Sequence, residues 1–105
     1  MFWCGPPGID GAQNRAMLEL CMYYVYFLRS KKKQDQYYVG YSANLKERFK
    51  NHNAGLSPAT KPYVPWEIVF YEAYKTSSDA KRREMYLKTT KGRRALRLML
   101  RDTLV

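Results

Sequence analysis

Two runs dense in aromatic and β-branched residues, YYVYFLRS (23–30) and YYVGYS (37–42), flank the polar stretch KKKQDQ (31–36). Residues of these types favour the pleated, half-buried surface of a strand. Two such runs joined by a short polar connection predict an antiparallel hairpin. Gly40 carries no side chain in the second strand, which permits a bulge or a close approach.

The hairpin limits what can follow. Asn44 to Asn53 reads as a helix: Asn44 caps it, Glu47 completes a capping-box pattern, and Leu45 and Phe49 share an inward face. Gly55 is its stop. Ser57, Pro58, Pro62 and Pro65 make 56–65 a loop. Trp66 to Tyr74 alternates as a third strand, with Trp66, Ile68 and Phe70 expected on one side and Glu67, Val69 and Tyr71 on the other. Thr76, Ser77 or Ser78 caps a helix to about Lys88, with an apolar stripe of Ala80, Leu87 and Met85 or Tyr86. KTTKGRR (88–94) reads as a basic break, and Ala95 to Leu104 as a last helix with Leu96, Met99, Leu100 and Leu104 at helical spacing. The order β-β-α-β-α-α predicts an α+β fold, a three-stranded antiparallel sheet flanked by helices.

Residues 1–21 differ in character. They hold Gly5, Gly8, Gly11 and Pro6-Pro7, and one Arg against Asp10 and Glu19. The expectation is a weakly ordered extension, with a short helical turn from Gln13 to Cys21, before a domain spanning 22–105. Of the two accounts of this segment, a true start at Met22 with an upstream reading before it is favoured over a native extension. Cys4 and Cys21 lie in no metal-ligand spacing, so two idle thiols in a reducing, cytoplasmic setting are expected. No apolar run approaches the ~20 residues of a bilayer span, and Met1–Gly11 lacks a signal-peptide pattern.

The 105 residues carry a formal charge of +10, so the part from Met22 onward holds +11. Such an excess selects a polyanionic partner, nucleic acid before an anionic membrane. The membrane reading is weaker because no long basic amphipathic helix with an exposed apolar face is legible. The residues suited to phosphate contact are Lys46, Lys50, Lys61, Arg82, Arg83, Lys91, Arg93 and Arg94.

Four features exceed what folding needs. Tyr26 and Tyr38 sit on the paired strands, where their rings can share a face; plain cross-strand packing is the simpler account. Arg48 and His52 are four apart on the first helix, sharing a face near the Leu45/Phe49 stripe but not on it; a solvated basic face is the simpler account. Glu84 falls within the inward stripe of its helix, where a carboxylate needs an ion pair or a metal. A lone carboxylate with water and phosphate suits Mg²⁺. The fourth feature is the spread of cations itself. No Ser/His/Asp set, Gly-rich phosphate loop or His/Cys cluster competes.

In this order the motifs resemble the GIY-YIG nuclease superfamily, in its small stand-alone branch of excinuclease-C-like domains. The likeness is carried by YVY (24–26), YVG (38–40), NLKERFKNHNAG (44–55), Thr60-Lys61, Pro65-Trp66, IVFYE (68–72) and AKRREMYLK (80–88), across about residues 22–95. It implies a compact α/β sandwich and metal-dependent hydrolysis of DNA phosphodiesters. On this chain Glu84 would bind one Mg²⁺ or Mn²⁺. Tyr26 or Tyr38 would orient or deprotonate the attacking water, and Arg48 would hold the scissile phosphate. His52 would hydrogen-bond a Tyr or relay its proton. The sequence departs from the pattern in three places: Tyr24 replaces the first Gly, Tyr41 stands where some relatives have a Lys, and no Asn equivalent is legible beyond Lys91. No second recognition domain is legible, so structure-selective or weakly specific cutting in repair or recombination is expected. The alternative is a binding module that kept the fold without the catalysis.

Overall fold

The computed structural model describes residues 22–104. The N-terminal extension, its helical turn and both cysteines lie outside the described residues. Strands β1 (Tyr23–Ser30) and β2 (Tyr37–Ser42) form the expected hairpin, and β3 (Trp66–Tyr74) adds antiparallel to β1. The order β2-β1-β3 makes β1 central. Both faces of β1 are covered, which explains why it reads as an unbroken run from Tyr24 to Leu28.

Each face of the sheet carries its own core. On one face Val25, Phe27 and Val39 pack with Ala80, Leu87 and Leu96. These last three come from α2 (Ser77–Leu87) and α3 (Thr90–Met99). On the other, Tyr24, Tyr26, Leu28 and Trp66 pack with Leu45 and Phe49 of α1 (Leu45–Asn53). Burying a side chain such as Leu45 or Leu87 completely contributes about 1.5–3 kcal/mol. Among the described residues no helix is long and apolar enough to cross a membrane.

Several expectations change. Pairing steps from Phe27–Phe70 to Leu28–Ile68, which leaves Val69 as an extra residue in β3. This bulge inverts the side-chain sense of the strand. Trp66 and Ile68 stay on the α1 face, whereas Phe70 joins Val69 on the α2/α3 face. On α2, Met85 is 69% exposed and Tyr86 is also exposed; neither belongs to the inward stripe. The basic break shrinks to Lys88-Thr89. Thr89 caps α3 by accepting from the Gly92 N–H at 3.1 Å, and its hydroxyl donates to the Tyr86 carbonyl at 2.6 Å. Lys91, Arg93 and Arg94 therefore lie within the first turns of a helix. That helix ends at Met99, which is 52% exposed, while Leu100 and Leu104 pack on the core from beyond it.

The cap of α1 also differs in detail from a capping box. Asn44 Oδ1 accepts from the Glu47 N–H at 3.1 Å, but Glu47 returns its carboxylate to the Asn44 side-chain amide at 3.1 Å. The Asn44 backbone N–H is taken by Ser42 Oγ at 2.9 Å. At the other end Asn53, the last residue of α1, pairs with β3 as a strand would: its Oδ1 accepts from Trp66 N at 2.6 Å and its amide donates to Trp66 O at 3.2 Å. Cap and clamp fix α1, and hence His52, against the sheet.

Candidate active site

Tyr26 enters from the central strand with its side chain 1% exposed. It sits opposite Gly40, and its phenol crosses the space a side chain there would need. A Cβ on Gly40 would lie 2.3 Å from Tyr26 Cζ and 2.3 Å from its hydroxyl. The glycine of YVG is therefore the channel through which Tyr26 passes.

At the far end of that channel the Tyr26 hydroxyl meets His52 Nε2 at 2.8 Å, and His52 Nδ1 lies 2.8 Å from Thr60 Oγ1. The Thr60 hydroxyl donates to the Ser57 carbonyl at 3.4 Å. Its oxygen then accepts from Nδ1–H, which leaves Nε2 to accept the Tyr26 proton. Burial, and next the positive charge of Arg48, push the imidazole below its ordinary 6.5. His52 is thus held neutral. Burial also dominates at Tyr26 and pushes its phenol up to about 12, against the pull of the nearby Arg48 guanidinium; the Tyr38 and Glu84 charges raise it further.

His52 is fully buried, not solvated beside the stripe as the helix pattern suggested. The spacing of Leu45, Phe49 and His52, i, i+4 and i+7, is that of one inward face. Thr60 was not singled out as a site residue. It is buried, and its carbonyl accepts from the Trp66 indole N–H at 2.9 Å. Its place in the Thr60-Lys61 motif is the sequence signal that points to it; composition and periodicity give none within a loop.

Tyr38 stands over this pair, half-buried. Its ring centroid is 5.0 Å from that of His52 and 6.4 Å from that of Tyr26. Because β2 is an edge strand, α2 reaches the same place from the other layer. Glu84 is 20% exposed and pairs with Lys88 at 3.1 Å, and the Lys88 ammonium lies 6.0 Å from the Tyr38 ring centre. Tyr26, Tyr38, Arg48, His52 and Glu84 are thus gathered in one region. Among the described residues no group of three or more His, Cys, Asp or Glu could enclose a metal. The donor set available is one half-buried carboxylate, and a hard, mostly hydrated cation such as Mg²⁺ or Mn²⁺ fits that set.

The cations behave differently from one another. Lys46 and Lys50 share an exposed face of α1 that Arg48, two positions from each, does not share, and Lys61 is exposed within the loop. Arg82 pairs with Asp79 at 2.8 Å on the surface. Arg83 is committed to Glu72 through two bonds, 2.9 and 3.2 Å, which ties α2 to β3. Arg93, with Arg97, lines a separate cavity beside Phe27 and Tyr37 on the α2/α3 face. Lys91 and Arg94 are exposed on α3.

The pattern of the GIY-YIG catalytic domain matches residues 22–97. This chain belongs to the GIY-YIG family. The family is of nuclease type, and the paired tyrosines above are those of its two name motifs. The GIY-YIG chain is 33% identical over 81 residues to a UPF0213 protein of Staphylococcus haemolyticus, covering 76% of this chain and 96% of that protein. A UPF0213 protein of Clostridium perfringens is 34% identical over 79 residues, 74% of this chain and 83% of its own length. One from Staphylococcus aureus is 36% identical over 63 residues, 59% of this chain and 77% of its own length. Those names state no activity. Relatives covered over most of their length mark the small stand-alone form of the family. No solved structure matches the chain.

Proposed function

We propose that this protein is a divalent-metal-dependent endonuclease that hydrolyses DNA phosphodiester bonds, structure-selective or weakly specific, with a place in repair or recombination. The observation that carries this reading is the Thr60–His52–Tyr26 line of hydrogen bonds meeting Tyr38, Arg48 and Glu84 in one region. A protein that only bound nucleic acid would have no use for a buried Tyr–His pair beside a half-buried carboxylate.

Roles follow from exposure. Tyr26 is sealed away and bonded to His52, so it serves as a fixed positioning group. Tyr38 is the tyrosine that can meet solvent, and it orients the attacking water and takes its proton. Arg48, exposed on α1, holds a non-bridging phosphate oxygen and offsets the charge that grows in the transition state. Glu84 and the Tyr38 side of the site would hold the divalent ion. Once bound, the ion supplies Lewis-acid polarisation of the phosphate and neutralises the departing oxygen. Lys88, now 3.1 Å from Glu84, would give up that ion pair if the carboxylate took a cation.

The test is cleavage of single-stranded, duplex, flap and branched DNA with Mg²⁺ or Mn²⁺, comparing wild type with Glu84→Gln and Arg48→Ala. Both variants are expected to lose at least about 10²-fold in rate, the scale of one electrostatic transition-state contact. A wild type inert on every substrate, or a Glu84→Gln variant that cuts equally well, rejects the catalytic reading. Retained, strongly salt-dependent binding would then leave the binding module.

A further inference from the structure

Helix α1 ends in a Schellman turn. Gly55 has φ +75, its N–H donates to the His52 carbonyl at 3.1 Å, and the Leu56 N–H donates to the Asn51 carbonyl at 3.1 Å. In such turns the apolar residue after the glycine commonly folds back onto the helix. Leu56 does not, and is 69% exposed. Beside it opens a pocket of about 230 Å³ lined by Arg48, Asn51, His52, Leu56, Ser57 and Pro58. The turn's own hydrogen bonds preform it. The stem of Lys61 runs alongside, 3.6 Å from where a Gly55 Cβ would stand.

The walls of this pocket are chemically mixed. A phosphate would gain nothing from Leu56 and Pro58, and an acyl chain nothing from Arg48 and Asn51. A planar heterocycle with a polar edge uses them all. Guanidinium planes stack on bases, a carboxamide pairs with a base edge, and the apolar rim replaces lost stacking neighbours. The volume lies below the ~300 Å³ at which drug-sized sites begin, so it suits one base and not an extended ligand.

We propose that this pocket receives one unstacked nucleobase of the strand whose phosphate Arg48 holds. The proposal rests on the nuclease reading and sharpens it. Extruding a base from an intact duplex costs a few kcal/mol, least where the strand is already unpaired. The favoured substrate is therefore an unpaired strand, such as a flap, a frayed end or a single-stranded tract.

Two measurements test it on the full chain, using wild type and the Asn51→Ala/Leu56→Ala double variant. In the first, NMR follows the Asn51 side-chain amide and Leu56 methyl signals (for the variant, the Ser57 amide) during titration with dAMP or 2-deoxyribose 5-phosphate. Wild type is expected to bind dAMP saturably in the millimolar range and at least tenfold tighter than the sugar phosphate, and the variant to bind both alike. Equal affinity of wild type for the two ligands, or no saturation by dAMP, overturns the pocket. In the second, oligonucleotides carry an abasic residue at successive positions around the cut. Wild type is expected to slow about tenfold at one position, and the variant to show no such penalty. A variant that keeps the full penalty overturns the proposal. If wild type cuts no oligonucleotide, the nuclease reading fails while the dAMP titration still decides the pocket.

Discussion

His52 is the only histidine of the chain, and its protonation is tied to folding. Its imidazole titrates below 6.5 in the folded protein. Between that depressed value and 6.5 the unfolded chain binds the proton more readily, so stability rises with pH there and is lost on acidification. Above 6.5 the contribution is complete. Tyr26 bounds the other end. With its phenol raised to about 12, the unfolded chain ionises first as pH passes 10, and stability falls between 10 and 12; Tyr74, also pushed to about 12, acts in the same direction. Urea unfolding from pH 5 to 7 is expected to show the midpoint dropping on the acid side in wild type. The slope should flatten in His52→Gln, where nothing at that position titrates. An unchanged slope would mean that the imidazole is not held neutral by the fold.

At the scale of elements, two glycines decide how the pieces meet. Gly92 sits in the first turn of α3, where a Cβ would lie 2.1 Å from the Tyr86 carbonyl oxygen and 2.6 Å from Leu87 Cα. Helix propensity alone makes Gly92→Ala stabilising by about 1 kcal/mol. The contact is with backbone, which cannot swing aside, so the expected sign is the opposite: a loss of roughly 1–3 kcal/mol from overpacking. Thermal unfolding measures this. Gly40→Ala presses on a side chain instead, the Tyr26 phenol, and is expected to lose DNA cleavage as well as stability, because Tyr26 and His52 can no longer meet. A Gly40→Ala variant with wild-type cleavage would remove the Tyr26–His52 bond from the account of the site.

Much at this scale was legible in the chain. Strand composition placed the hairpin, and Asn44 and Gly55 bracketed α1, because capping and turn chemistry are local. The bulge at Val69 was not legible, since it arises from the register against β1, a partner forty residues away. The start of α3 is hidden for a similar reason: KTTKGRR looks like a break, and only the fold shows Thr89 capping the helix and Gly92 allowing close packing.

For the whole molecule, the charge of +10 is not one uniform surface. Lys46 and Lys50, four apart on α1, share one face, and Arg48, two positions from each, lies on the other side beside Asn51 and His52, whereas Arg83 is spent on Glu72 and Arg93 faces a different layer. Single substitutions of Lys46, Lys50 or Lys61 by Ala are expected to reduce the slope of log K against log salt by about one each. Arg83→Ala is expected to leave that slope near wild type and to lower stability, because Glu72 loses its partner. Fluorescence anisotropy over a salt series, paired with denaturation, separates the two effects. A slope insensitive to all three lysines would move the nucleic acid to another face.

Element types, the family likeness and the residues worth watching can be read along the chain, because periodicity, capping and motif spacing are properties of short stretches. The sequence alone left Tyr26 and Tyr38 equivalent. Only the tertiary structure separated them, by sealing Tyr26 under Gly40 against His52 and leaving Tyr38 half-open at the sheet edge. Burial, and the proton affinities that follow from it, depend on which distant segments cover a side chain, and no local pattern in the chain encodes that.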